Sequence, residues 1–172
     1  MLRTVFLLCL LLLAASAPKA RAQTRRHIWA QATVGPYWFI DEDPIDHLIV
    51  GGNAHVTWTP RLGFEADGLY MWGPARDRDA QFALMATWDI FRPRPDNPRR
   101  YSPYVFLGPA VLWHHDDFGE RGTVSSHEFG VAAGGGVRIE MPKFRRWFAA
   151  PEFRVGPDGG FGAALRLGYI VR

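Results

Sequence analysis

The 172-residue sequence predicts an all-β fold: an eight-stranded antiparallel up-and-down transmembrane β-barrel, with its apolar face turned toward lipid. Three observations lead there. The amino terminus has the build of an export signal, the remainder divides at turn-like clusters into eight segments of strand length, and those segments alternate polar and apolar residues at a period of two.

Residues 1–22 read as a signal peptide. Arg3 supplies a positive start, Val5–Ala15 is apolar, and Ala20-Arg21-Ala22 before Gln23 has the small-x-small form of a cleavage site. The apolar run falls short of the roughly 20 residues of a spanning helix. Cys9 lies inside it, without a Leu-Ala-Gly setting for lipid attachment. The expected mature domain, 23–172, then carries 17 Lys+Arg against 17 Asp+Glu, so the basic balance belongs to the precursor. A neutral mature chain offers no electrostatic footprint for nucleic acid. Without Cys9 it has neither a disulfide nor a thiolate metal site.

Beyond Gln23 no apolar stretch approaches helical spanning length. A chain that spans lipid without helices must pair every backbone N–H and C=O within a closed barrel.

The eight segments are roughly 28–39, 48–59, 61–72, 80–91, 102–113, 126–140, 146–155 and 160–171. The breaks, 41–46, 59–60, 73–79, 93–100, 114–123, 142–143 and 156–160, are rich in Pro, Gly, Asp and Asn, residues that favour turns. A tilted membrane strand needs about 9–11 residues, a length these segments match.

Within them the alternation is explicit. The second sets Asn53, His55, Thr57 and Thr59 against Val50, Gly52, Ala54, Val56 and Trp58. The third sets Glu65 and Asp67 against Phe64, Ala66, Gly68, Tyr70 and Trp72; the fourth sets Gln81, Thr87 and Asp89 against Phe82, Leu84, Ala86, Trp88 and Ile90. In the sixth, Glu128, Arg138 and Glu140 face away from Phe129, Val131, Ala133, Val137 and Ile139. The last two place Glu152, Arg154 and Arg166 opposite Phe153, Val155, Leu165, Leu167, Tyr169 and Val171. Such binary patterning marks half-buried strands.

Alternation alone fits a soluble lipocalin-like barrel equally well. Two details favour the inverted arrangement. Aromatic residues gather at strand ends: Trp38, Trp72, Trp113 and Phe161 at one, Trp58, Trp88, Trp147 and Tyr169 at the other. Amphipathic rings favour the headgroup level in this way. The polar face is also crowded with glycine (Gly51, Gly63, Gly108, Gly130, Gly134, Gly136, Gly162 and Gly168), which suits a narrow filled bore and would only weaken a solvated face.

An even number of strands puts both ends of the barrel chain on one side. Long connections are expected at 40–47, 73–79, 114–125 and 156–159, on the outer side; the turns near 59–61, 92–101 and 141–145 face the periplasm. Asp41, Glu42, Asp43, Asp46, Asp116, Asp117, Glu120 and Asp158 then fall outside, and Arg25, Arg26, Arg92, Arg94, Arg99, Arg100, Lys143, Arg145 and Arg172 inside.

With the export signal, Pro103–Ala110, the run Gly134–Gly136 and the closing Leu165-Arg166-Leu167-Gly168-Tyr169, the chain resembles the small eight-stranded outer-membrane barrels, the OmpA-type and OmpX-type domains. The resemblance implies a barrel-only protein of the bacterial outer membrane, delivered by Sec-type export and the barrel-insertion machinery. Lipid and lipopolysaccharide would surround a monomer. One departure stands out. Members usually end in an aromatic residue, whereas this chain ends Ile170-Val171-Arg172.

No constellation rises to a catalytic motif, and no cofactor or metal is expected. Glu65, Asp67, Asp89, Glu128, Arg138, Glu140, Glu152, Arg154 and Arg166 form the expected lumen charge network, a salt-bridged plug rather than an ion path. His47, His114, His115 and His127 map to the outer end and read as solvated loop residues. Ser125 or Ser126, His127 and Glu128 cannot form a relay, because neighbours on a strand point to opposite faces. The expected role is structural or surface-interacting; the alternatives are a lipid-A-modifying enzyme and a soluble lipocalin-like carrier.

Overall fold

The computed structural model describes residues 28–40, 46–74, 77–91, 101–117, 122–141, 143–144 and 146–171. The export signal lies outside them, as do Asp41–Asp43, Glu120, Arg25, Arg26, Arg92–Arg100, Arg145 and Arg172. Eight strands follow one another: β1 (Ile28–Trp38), β2 (Asp46–Thr57), β3 (Leu62–Trp72), β4 (Arg78–Asp89), β5 (Tyr101–Asp117), β6 (Thr123–Glu140), β7 (Trp147–Val155) and β8 (Phe161–Ile170). Each pairs antiparallel with its sequence neighbours, and β8 returns to β1 from Trp29↔Ile170 to Trp38↔Phe161, which closes the barrel.

Local chemistry sets the turns. Between β2 and β3 the Thr59 hydroxyl accepts the Leu62 N–H at 2.9 Å, beside Pro60, whose ring holds φ near the value a turn needs. Between β7 and β8, Gly156 N–H donates to Gly160 O at 2.7 Å across a 3-10 turn, Pro157–Gly159, in which Gly159 takes the left-handed φ of 67°. Pro157 is buried, and a Cβ on Gly130 would meet it at 3.0 Å, so this connection folds down over the bore.

Burial follows the alternation, inside out. Gln31, Thr33, Asn53, His55, Glu65, Asp67, Gln81, Thr87, Glu152, Arg154 and Arg166 are buried, while Val34, Val50, Phe64, Leu84, Val105, Leu107, Phe153 and Leu165 are exposed on the outer wall. The lipocalin-like alternative requires the reverse. A continuous apolar wall of this extent is stable only against lipid or another apolar surface.

Two sequence expectations are corrected. The segment 114–125 is not an open loop: β5 runs on to Asp117 and β6 begins at Thr123, with the register continuing through His115↔Ser125 to Asp117↔Thr123. A two-stranded ribbon standing in water needs no apolar face, so its polar residues resemble a loop in the sequence. Asp46, His47, Arg78 and Asp79, placed in turns by their polarity, belong to β2 and β4; His47 and Asp79 are polar yet buried in the bore, so their polarity does not mark a turn. The two ends of the barrel are hereafter the ribbon end, with the β5–β6 extension, and the terminal end, where β1 begins and β8 finishes.

Candidate functional site: the charged lumen and its ribbon-end mouth

Glu65 and Asp67 project inward from β3, two residues apart and hence on one face. Glu152 and Arg154 do the same from β7, four strands away on the opposite wall, and Arg166 joins them from β8. Arg166 reaches Glu65 at 2.5 Å through Nη1, Glu152 at 3.0 Å through Nε and Asp67 at 3.7 Å through Nη2. Arg154 meets Asp67 and Glu152, both at 3.0 Å. Tyr104 OH donates to Glu152 at 2.8 Å, and His55 Nδ1 lies 3.6 Å from Glu65. Opposite walls of the barrel are thus cross-braced through paired, hydrogen-bonded charges.

Toward the terminal end, Arg138 donates to Asp89 and lies over the rings of Tyr104 and Trp29, at 4.2 and 5.0 Å. Trp29 in turn stacks on His55 at 3.9 Å. Of the nine charges expected in the lumen, Glu65, Asp67, Asp89, Arg138, Glu152, Arg154 and Arg166 stand together in this way. Glu128 and Glu140 do not. Both lie on the inward-facing register of β6 but are exposed: Glu128 stands in the stretch that has no β7 partner, and Glu140 is the last residue of β6, opposite Phe148.

The lumen also holds residues that the sequence reading missed. One apolar cluster contains Trp29, Met85, Tyr104, Phe106 and Phe148; another, toward the ribbon end, contains Tyr37, Phe39, Ile49, Leu69, Met71 and Leu112. The inward glycines were the available signal. A Cβ on Gly168 would run into the Phe148 ring, and one on Gly63 into His55, so each glycine marks the space of a large interior ring.

The aromatic residues expected at the strand ends are sorted by the register. Trp38 pairs with Phe161, and Trp72 and Trp113 stand level with the same end beside Leu48 and Ala80. Trp88 faces Leu62, Trp147 faces Tyr169, and Trp58 follows β2 at the terminal end. The Trp38–Phe161 and Trp147–Tyr169 ring centroids are 5.5 and 5.1 Å apart.

At the ribbon-end mouth the histidines part company. His47 is buried, with Nε2 at 2.9 Å from Asp77 Oδ2 and 3.4 Å from Asp79 Oδ2. His114 Nδ1 contacts the other oxygen of Asp79 at 3.1 Å, and its Nε2 lies 3.9 Å from Asp158. His114 stands beyond Trp113, outside the apolar band; the Asp79 hydrogen bond holds its pKa above the ordinary imidazole value, against the opposing effect of burial. Only His115 and His127 fit the solvated reading. His115 Nδ1 meets Ser125 Oγ at 2.8 Å in the open, and His127 packs edge-on against Phe129. Among the described residues no buried carboxylate stands behind this serine–imidazole contact.

No family model matches the chain, and no curated relative matches its sequence. Solved structures do match. The N-terminal β-barrel domain of Pseudomonas aeruginosa OprF superposes with a TM-score of 0.67 at 14% identity, over 84% of this chain and 96% of that one. Neisserial surface protein A gives 0.60 at 13% identity, over 83% and 94%. Ail, the attachment invasion locus protein of Yersinia pestis, gives 0.54 at 11% identity, over 84% and 95%. Strand count, closure, burial and these likenesses agree: the protein has the fold of the eight-stranded transmembrane β-barrels of bacterial outer membranes.

Proposed function

We propose that the protein is an integral outer-membrane barrel, non-enzymatic, whose ribbon end faces the outside and carries a surface-interaction role. The β5–β6 ribbon is the observation that carries this reading. These strands have 17 and 18 residues against 9–12 for the others. The ladder from β6 to β7 begins only at Ala133↔Val155, so Thr123–Ala132 has no β7 partner. Residues 123–129 are exposed, Phe129 at 81%. A projecting strand edge of this kind is a template for another chain. Two similar folds belong to proteins named for the surface and for attachment, which agrees with this reading.

The cross-braced lumen acts as a plug rather than a pore in this account. The expected aromatic girdles, Trp38, Trp72, Trp113 and Phe161 against Trp58, Trp88, Trp147 and Tyr169, sit at headgroup level, with lipid and lipopolysaccharide against the wall between them. Sec-type export, insertion by the barrel machinery and a monomeric state belong to the same proposal.

The sole cysteine, Cys9, lies in the expected signal, so cysteine labelling is specific. Thr123→Cys is expected to react with a membrane-impermeant maleimide on intact cells, and Lys143→Cys only after permeabilisation. The opposite pattern overturns the orientation. Replacing 115–126 by a tight turn is expected to abolish attachment of producing cells to surfaces while the barrel still folds; unchanged attachment overturns the role.

A further inference from the structure

We propose that the ribbon-end mouth of the lumen is a binding site for a divalent transition-metal ion of the zinc class. His47 Nε2, Asp77 and Asp79 are its ligands, and His114 is the positioning residue.

Three donor atoms, one from each ligand, lie within 4.8 Å of one another. For metal–ligand bonds of about 2.0–2.2 Å, a tetrahedral site has ligand–ligand edges of roughly 3.2–3.6 Å. The two edges from His47 Nε2, 2.9 and 3.4 Å, depart from these by at most a few tenths of an ångström, and the third, between the two carboxylates, lies within 4.8 Å. The chemistry also points to a cation. One imidazole nitrogen faces an oxygen of each of two carboxylates, so three atoms of metal-ligating type stand together. An imidazole nitrogen with two carboxylate oxygens is a combination that borderline divalent ions accept.

The site is built rather than a chance cluster of surface acids. His47 and Asp79 side chains are each 1% exposed. Space between His47 and Asp77 exists because residue 73 is glycine: a Cβ there would lie 2.5 Å from His47 Nε2 and 2.9 Å from Asp77 Oδ2. Arg78 clamps the turn bearing Asp77 by donating to Asp77 O at 2.7 Å and Gly73 O at 3.4 Å. Phe39 packs edge-on against His47, with centroids 5.1 Å apart, and shields that side from water. The remaining oxygen of Asp79 is held by His114, as outer-shell partners hold ligand carboxylates in metal sites. Three protein ligands leave one position for water or an incoming donor.

Untagged protein folded in detergent micelles is titrated with Zn2+ by calorimetry, and Co2+ is added separately as a spectroscopic probe of geometry. Wild type is expected to bind one Zn2+ and to give an intense low-symmetry Co2+ spectrum. His47→Gln and Asp79→Asn are expected to abolish both. Asp77→Asn, at the ligand whose side chain is the most exposed of the three (16%), and Gly73→Ala are expected to lower affinity at least tenfold. His114→Gln is expected to weaken binding by about 10–100-fold while leaving the Co2+ geometry unchanged. His115→Gln and His127→Gln are expected to bind as wild type does, and heat-modifiable gel migration verifies folding throughout. Absence of stoichiometric Zn2+ binding by wild type overturns the proposal, as does full affinity in folded Asp77→Asn and Asp79→Asn.

Discussion

Arg166 on β8 and Glu65 on β3 meet inside the bore at 2.5 Å, although 101 residues separate them in the chain. The same guanidinium holds Glu152 and approaches Asp67, and Arg166 has no solvent exposure. It is the hub through which β3, β7 and β8 are tied together.

Removing that hub leaves carboxylates buried without their counter-charge. Arg166→Met is expected to destabilise the barrel by about 3–5 kcal/mol. Guanidinium unfolding of micelle-folded protein, followed by tryptophan fluorescence, checks this. Adding Glu65→Gln and Glu152→Gln to Arg166→Met is expected to restore part of the loss, because the uncompensated charges disappear with their partner. A loss below about 1 kcal/mol in the single variant would place these charges in contact with water.

Gly168 and Phe148 share one space on the inner wall. Gly168→Ala is therefore expected to cost about 1–3 kcal/mol through overpacking. Combining it with Phe148→Leu is expected to recover stability beyond what the two single effects would sum to. Additive losses in this double-variant cycle would show that the two side chains do not compete.

The outer wall predicts a depth dependence. Leu84, on the outer wall midway along β4, is 54% exposed; Leu48 stands opposite Trp72 near the ribbon end. Leu84→Arg is expected to cost about 2–4 kcal/mol for folding into lipid vesicles, and Leu48→Arg roughly 0–1 kcal/mol. Equal costs at the two positions would remove the lipid from this face.

The eight strands were legible because a half-buried strand repeats every two residues, and the inversion was legible from the glycine-rich polar face and end-loaded aromatics. What escaped has a physical reason in each case. The ribbon residues His115 and Thr123–Ser126 are strand without a buried face, so no alternation betrays them. Tyr104-Val105-Phe106-Leu107 is apolar on both faces, since one face meets lipid and the other packs beneath the charge layer. Glu128 has the inward parity but lies past the barrel's rim, and parity carries no information about height. The joining of His47 on β2 with Asp77 and Asp79 at the start of β4 depends on barrel closure and register, neither of which local spacing contains.

The closed barrel turns its apolar face to lipid. Fractionation of producing cells, with gel migration compared before and after heating, tests it most directly. The protein is expected in the outer-membrane fraction, with the unheated form running as a compact species that shifts on boiling. Recovery in the soluble periplasm, with no heat-dependent shift, would contradict it.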